Sequence, residues 1–331
     1  MHVGLFRLRE LGGSKHKRRD RYWRLYDFAH SRELSEVVDE LARLVDEVGD
    51  PWPKPGRGRP VVHSPRKMAV ICMLAVILGF SYRRMESLLH MLRLPWPWEP
   101  VPDHSTIHEA FGRISEAYLN RLLERSAELC VEESGWFRGI IAADSTGVET
   151  DRYETVEVKL QKVRRKISVK FHVIAALDYN IIMAAKVTSR RTGDAPTLRA
   201  MLKRLPPMEG SIFNADKAYD SDRTCELVYE KMMKPNIKQR ETRGRNRGLR
   251  YRKKAAGEFD EAVYRYRGLI EGIFGAEEAG KGLKTRCRLR RMQRRWGLAL
   301  AIGHNLAVFN RLKCAKTLNI TLKPILANAE T

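Results

Sequence analysis

Residues 211–221 read Ser-Ile-Phe-Asn-Ala-Asp-Lys-Ala-Tyr-Asp-Ser, and this stretch decides the fold. Ile212, Phe213 and Ala215 make a short apolar run that stops on Asp216, and SDRTCELVYEKMM after it has helical spacing. A brief apolar run, a polar turn and an amphipathic segment describe a buried strand feeding a helix. Outward from there the pattern extends in both directions. KPNIKQR reads as a short strand after the helix. Upstream, Asp194 is placed to cap a helix, APTLRAMLKRL, which Pro206-Pro207 ends. Before it come strand-like Arg138 to Val148, then VEVKL and ISVKFHVIAAL around a basic turn, KVRRK, then IIMAAKVTS.

Three strands, a helix, a strand, a helix and a strand predict an α/β fold with a mixed sheet, and a ribonuclease-H-like core with flanking helices fits that order. The first half of the chain is all-α in texture. Glu33 to Val48 places Leu34, Val37, Val38, Leu41, Leu44 and Val45 at three- and four-residue spacing, an amphipathic helix. DPWPKPGRGRPVVHSP is a linker near residues 49–63. Ser64-Pro65 opens a helix through MAVICMLAVILGF, YRRMESLLHMLRL is a second, and one helix is expected from His104-Ser105 through CVEE. The expected organisation is a helix-turn-helix-like DNA-binding region over 1–134, a ribonuclease-H-like domain over 135–315 and a tail over 316–331.

The chain has 331 residues, 43% hydrophobic, enough for a real core. Its 62 Lys and Arg against 40 Asp and Glu give a net charge of +22. Such an excess favours polyanions, through phosphate contacts and counterion release. Five cysteines, odd in number and in no CxxC pair, argue against a disulfide framework and fit a reducing cytoplasm. The longest apolar runs fall short of the roughly 18–20 residues that span a bilayer. A cytoplasmic, nucleoid-associated protein without membrane contact is expected.

Against this basic background three acids stand out: Asp144 in IIAADSTG, Asp216 in IFNADKAYDS, and Glu271 in YRYRGLIEGIFG. The first two are expected at strand ends and the third on a helix. A buried carboxylate is costly unless neutralised, and divalent ions held by carboxylates from separate elements are the usual neutraliser in phosphoryl-transfer sites. Each acid alone has a plainer explanation, since aspartates end strands and glutamates line helices. Asp151, Asp178, Asp194, Asp220 and Asp222 compete for the same roles; Asp178 reads as a hairpin turn, Asp194 and Asp222 as helix starts, and Asp220 as a neighbour of the Asp216 site. His172, alternating with apolar residues, reads as a packed histidine. Lys234 to Lys254, with ten Lys and Arg and one acid, reads as a loop; Lys281 to Arg295 carries eight and no acid. Both suggest phosphate contact, and Trp96 and Trp98 read as packing a proline turn.

Asp144-Ser-Thr-Gly, Lys170-Phe-His172 through Asp178, Gly193-Asp194, Asp216-Lys-Ala-Tyr-Asp-Ser221, and Arg267 with Glu271 resemble the DDE transposases of bacterial and archaeal insertion sequences, of the family-five type. The resemblance covers residues 60 to 312. It implies a ribonuclease-H-like core in which Asp144, Asp216 and Glu271 are catalytic and hold two Mg²⁺ or Mn²⁺ ions for strand cleavage and transfer. Tyr264, Arg267 and Glu271 match the family's spacing around the glutamate; the lysine expected seven residues later is Glu278, with Lys281 and Lys284 downstream. It further implies supporting roles for Arg267, Tyr264, Lys217 and Tyr219. Double-stranded DNA, both element ends and target, is the implied partner, bound by a homodimer or higher oligomer. The basic residues expected on DNA are Arg57, Arg59, Arg164, Arg165, Arg243, Arg245, Arg247, Lys281, Lys284, Arg290 and Arg291; Arg57-Gly-Arg-Pro60 has the form of an AT-hook core. The alternatives are a related nuclease, or a decayed or domesticated copy that binds DNA without chemistry.

Overall fold

A computed structural model describes residues 15–53, 62–92, 100–136, 138–158, 161–240 and 249–322. The chain opens with helices α1 (Lys15–His30), α2 (Glu33–Val48), α3 (Pro65–Ile77), α4 (Tyr82–Leu92), α5 (His104–Arg113) and α6 (Glu116–Ser134). The expected Glu33–Val48 helix is present, with Val37, Leu41, Leu44 and Val45 buried. The single helix expected after His104 is two. Ile114 is extended (φ −60, ψ 123), and Ser115 caps a new helix by accepting from the Tyr118 amide at 3.1 Å. Ser64 sits at the N-cap of α3 but makes no side-chain cap bond. Trp96 and Trp98 lie outside the described residues.

The sheet follows: β1 (Ile140–Val158), β2 (Gln161–Ala176), β3 (Ile181–Ser189), α7 (Asp194–Leu202), β4 (Ile212–Ala215), α8 (Asp222–Glu230) and β5 (Lys234–Ile237). After it come α9 (Arg250–Gly257), α10 (Glu261–Tyr264), α11 (Glu271–Lys281), β6 (Lys284–Thr285) and α12 (Arg290–Thr317). The strand order is β3-β2-β1-β4-β5, with β6 paired to β1. β1, β2 and β3 are antiparallel neighbours, while β4 and β5 run parallel to β1. This mixed sheet, flanked by helices and preceded by a helical region, is the ribonuclease-H-like arrangement.

Three local expectations change. β1 does not end at Asp144 but continues through Ser145, Thr146 and Gly147, which pair with His172, Phe171 and Lys170 of β2. The KVRRK segment, expected as a turn, lies on β2 opposite the far half of β1. The basic loop after β5 contains α9; residues 241–248 within it lie outside the described residues.

Alternation along the strands divides the core in two. Ala142, Val148, Phe171, Val173 and Ala175 join one cluster with α2 to α6 and with Val263, Ile270, Ile273 and Phe274. Ile141, Ala143, Ile174, Ala176, Phe213 and Ala215 join the other, with α7, α8 and the end of α12. Parity therefore puts Asp144 on the face that carries α10 and α11. α6 and α12 contribute to both clusters, so the helical half shares its core with the sheet.

The sheet's leading edge is tied at Asp178, in the turn between β2 and β3. Its buried carboxylate accepts from Trp136 Nε1 at 3.0 Å and from the Ile140 amide at 3.1 Å. Gly139 passes against it: a Cβ there would lie 1.8 Å from Asp178 Oδ2 and 2.6 Å from Trp136 Nε1. Gly139→Ala must displace a buried, hydrogen-bonded carboxylate, so a loss of about 2–4 kcal/mol is expected. Chemical denaturation of both proteins measures it, and a loss below ~1 kcal/mol would show that this corner yields freely.

Candidate active site

The last paired rung between β1 and β4 is Ala143 with Ala215. Asp144 and Asp216 are the next residues on each strand, at equivalent register. Adjacent parallel strands lie about 4.8 Å apart and equal register means equal face, so the two carboxylates share one side of the sheet. Their backbones differ. Asp144 stays in the ladder, paired with Val173. Asp216 has left it and caps the 3₁₀ turn Lys217–Tyr219, its Oδ1 accepting from the Lys217 amide at 2.7 Å.

The third acid arrives from the facing elements. Asn214 holds α10 against β4 by donating to the Val263 carbonyl at 2.9 Å. The chain then runs through the 3₁₀ segment Arg265–Ile270 into α11, whose first residue is Glu271. Arg267 Nη1 stands 3.4 Å from Asp144 Oδ2, and the Tyr264 hydroxyl interacts electrostatically with the Arg267 guanidinium. Burial pushes the Asp144 carboxyl up; the Ser145 amide and Arg267 oppose this, and the negative charges of Glu271 and Asp216 add to it. The three acids thus share one electrostatic environment, with Asp144 inside β1 rather than at its end.

Tyr219 is buried beneath the turn, where its hydroxyl interacts with Ser145, the neighbour of Asp144. Burial raises its hydroxyl pKa, with Asp144, Asp194 and Asp216 adding to the rise. Lys217 is exposed at the rim. Ser145 was not legible as a site residue, because small polar residues after an apolar run look like a turn. The competing acids are otherwise engaged. Asp194 is the first residue of α7, with Gly193 rather than itself at the N-cap, and pairs with Lys170 at 2.8 Å. Asp222 starts α8 and accepts from the Arg252 amide, Asp151 pairs with Lys284, and Asp220 is buried against Arg252.

His172 is a packed histidine, its Nε2 2.8 Å from Thr188 Oγ1. Burial drives its pKa down to about 4, with Asp194 raising it and Lys170 and Lys186 lowering it. A depressed histidine contributes stability that is full above the unfolded value near 6.5 and is lost as pH falls toward 4. Between pH 7 and 4.5 the wild type should lose about 2–3 kcal/mol more than His172→Gln. Equal losses in the two proteins would show that His172 charges freely when folded.

Of the residues expected on DNA, Arg164 stacks on the exposed ring of Tyr153 at 4.4 Å, and Arg290 and Arg291 are exposed at the start of α12. Lys284 is half-exposed on β6, not on the Glu271 helix. Arg57, Arg59, Arg243, Arg245 and Arg247 lie outside the described residues, as do the side chains of Arg165 and Lys281. Glu278 is exposed on α11.

Hard carboxylate oxygens, with the negative charges of Glu271 and Asp216 acting on a largely buried Asp144, are the donor chemistry a divalent cation satisfies. Among the described residues no three His, Cys, Asp or Glu side chains are drawn close enough to enclose an ion. No single described helix is long and apolar enough to cross a membrane.

The chain is similar to several known proteins. An uncharacterized protein of Aquifex aeolicus strain VF5 is 27% identical over 184 residues, 53% of this chain, and this chain spans about half (55%) of that relative's length. The cryo-EM structure of the piggyBac transposase synaptic complex with hairpin DNA aligns over 86% of this chain and 76% of that one, at 8% identity and a TM-score of 0.37. The Mos1 transposase paired-end complex with left transposon end covers 70% and 83%, at 12% and 0.22. The transposase DDE domain family matches residues 135–306, from just before β1 to within α12 and just over half of the chain. Its span takes in Asp144, Asp216 and Glu271, and the chain belongs to the transposase DDE domain family.

Proposed function

We propose that this chain is a DNA transposase of the insertion-sequence family-five type, cleaving element ends and transferring them to target DNA. The observation that carries this reading is the Asp144, Asp216 and Glu271 trio: Asp144 on β1, Asp216 just past the end of the parallel strand β4, and Glu271 at the start of the facing helix. The Tyr264–Arg267–Asp144 chain of contacts supports the family-five type, because it links the spaced residues around Glu271 to the first aspartate. Asp144, Asp216 and Glu271 would hold two Mg²⁺ or Mn²⁺ ions, which when bound supply Lewis acidity and an activated water or 3′-hydroxyl. Arg267 keeps Asp144 oriented and part-neutralised. Tyr219 and Ser145 hold the two aspartate-bearing segments together across the sheet. Tyr264 fixes the Arg267 guanidinium, and Lys217 at the rim offers a cation to a phosphate.

The DNA path is proposed along Arg164, Arg165, Lys281, Lys284, Arg290 and Arg291, with Arg57, Arg59, Arg243, Arg245 and Arg247 as further contacts from the basic segments of the sequence. Residues 1–134 are proposed as the end-binding region. α3 and α4 meet at 112°, within the helix-turn-helix range, and α4 exposes Arg83 and Arg84. Two element ends held together imply a homodimer or larger assembly, acting in the cytoplasm at the nucleoid.

The test is a labelled duplex carrying the flanking inverted repeats, incubated with the full chain and Mg²⁺ or Mn²⁺. Nicked ends and joined target products are expected. Nicks without joining would select the nuclease. DNA bound but uncut at every metal concentration would select the binding-only copy, which Glu278 in place of the expected lysine favours.

A further inference from the structure

Asp216 needs support that Asp144 does not. β1 holds Asp144 in its ladder with β2, but both ladders of β4 end at Ala215, against Ala143 and Ile237. The position of Asp216 therefore depends on the turn that follows it. That turn has one internal bond from the Tyr219 amide to the Asp216 carbonyl at 2.9 Å and a longer one from the Asp220 amide to the Lys217 carbonyl at 3.3 Å. A four-residue turn at the end of a strand is weak restraint on its own.

The rest comes from two arginines distant in sequence. Arg240 caps the turn from outside, Nε donating to the Lys217 carbonyl at 2.5 Å and Nη2 to the Ala218 carbonyl at 2.6 Å. Asp220, at the far end of the turn, accepts the Arg240 amide at 2.8 Å. Arg252 on α9 then closes the ring. Its Nη2 reaches Asp220 Oδ2 at 2.7 Å and the Arg240 carbonyl at 2.8 Å, while Nε reaches Asp220 Oδ1 at 2.8 Å. The Arg252–Asp220 pair is almost wholly buried, at 6% and 2% side-chain exposure. A buried forked pair of this kind fixes direction, because breaking either half strands a charge in the interior.

We propose that Arg252 and Arg240 are positioning residues for Asp216: through Asp220 and the Lys217 and Ala218 carbonyls they hold the turn that aims this carboxylate at the face shared with Asp144. This inference rests on the proposed function for its consequence, not for its geometry. Both arginines act through the turn, by way of Asp220 and the Lys217 and Ala218 carbonyls. Asp220, a competitor for the metal roles by sequence, is the anchor of the clamp.

The experiment compares wild type, Arg252→Lys, Arg252→Met and Asp216→Asn as full chains. Amide hydrogen exchange at Tyr219 and Asp220, Mn²⁺ affinity by electron paramagnetic resonance, and cleavage of end-bearing DNA against Mn²⁺ concentration are measured. Arg252→Met should speed exchange at these two amides at least tenfold with little change in β1, and raise the Mn²⁺ needed for half-maximal binding and cleavage about tenfold. Metal-free DNA affinity should stay within twofold, and Arg252→Lys should recover part of the loss. Should Arg252→Met fail to fold, Arg240→Met at the exposed end of the clamp gives the same shifts in smaller measure. A folded variant with wild-type exchange and wild-type Mn²⁺ dependence overturns the clamp. Faster exchange beside a wild type that neither binds Mn²⁺ nor cleaves leaves the clamp standing and overturns the proposed function instead.

Discussion

Asp144→Asn, Asp216→Asn and Glu271→Gln are each expected to lower metal-dependent cleavage of end-bearing DNA by on the order of 10³-fold or more. Each change keeps the shape of the side chain and removes one charge from the proposed metal-binding site. Affinity for DNA without metal should change by less than about threefold, because the phosphate contacts, which carry the salt dependence, are proposed to lie on the basic segments. Stability should not fall in step with activity. The Asp144 carboxyl is pushed up by burial and by Glu271 and Asp216, so ionising it works against the fold. Asp144→Asn removes that repulsion at the cost of the 3.4 Å contact to Arg267, and a thermal midpoint at or slightly above wild type is expected. Cleavage assays beside thermal scans separate the two effects. Activity surviving in any one variant would remove that carboxylate from the site.

Asn305→Ala should be among the most destabilising single changes in the chain, by roughly 3–5 kcal/mol. Asn305 lies on α12 with no exposed surface, and its Oδ1 accepts the Ile182 amide at 2.8 Å while Nδ2 donates to the Ile182 carbonyl at 2.9 Å. The side chain thus pairs with the edge strand β3 as another strand would. The same Nδ2 reaches Ser126 Oγ at 3.1 Å on α6, so one amide joins β3, α6 and α12. Alanine leaves the Ile182 amide and carbonyl buried without their partner, and each such group costs about 1–3 kcal/mol. Chemical denaturation would measure it; a loss under about 1 kcal/mol would mean that water enters and replaces the amide.

Local pattern carried most of the sheet order. Ile140 to Ala143, Ile212 to Ala215, ISVKFHVIAA and IIMAAKVTS are apolar in runs too short for helices and lie on β1, β4, β2 and β3, while Val156 to Val158 extend β1 instead of starting a strand. Glu33 to Val48 was legible because its buried stripe repeats at the helical period. What local pattern missed was decided by partners far away in sequence. Ser145-Thr146-Gly147 has turn composition, yet β2 supplies a partner for every one of these residues and keeps them in the strand. The break at Ile114 left a trace in Ser115-Glu116, a cap followed by a first-turn acid, within an otherwise continuous helical run. Asp220 looked like Asp216's neighbour in function; its role depends on Arg252, 32 residues on, which periodicity cannot reveal. The candidate site residues came from the resemblance, and the pairing of β1 with β4 up to Ala143 and Ala215 only from the sheet.

The most direct measurement is anomalous scattering from crystals of the full chain bound to an end-bearing duplex and soaked in Mn²⁺. Manganese peaks between Asp144 and Asp216, with Glu271 turned toward them, are the expected result. Manganese absent from these carboxylates in crystals where DNA is engaged, or bound at another set of acids, would contradict the assignment of the site.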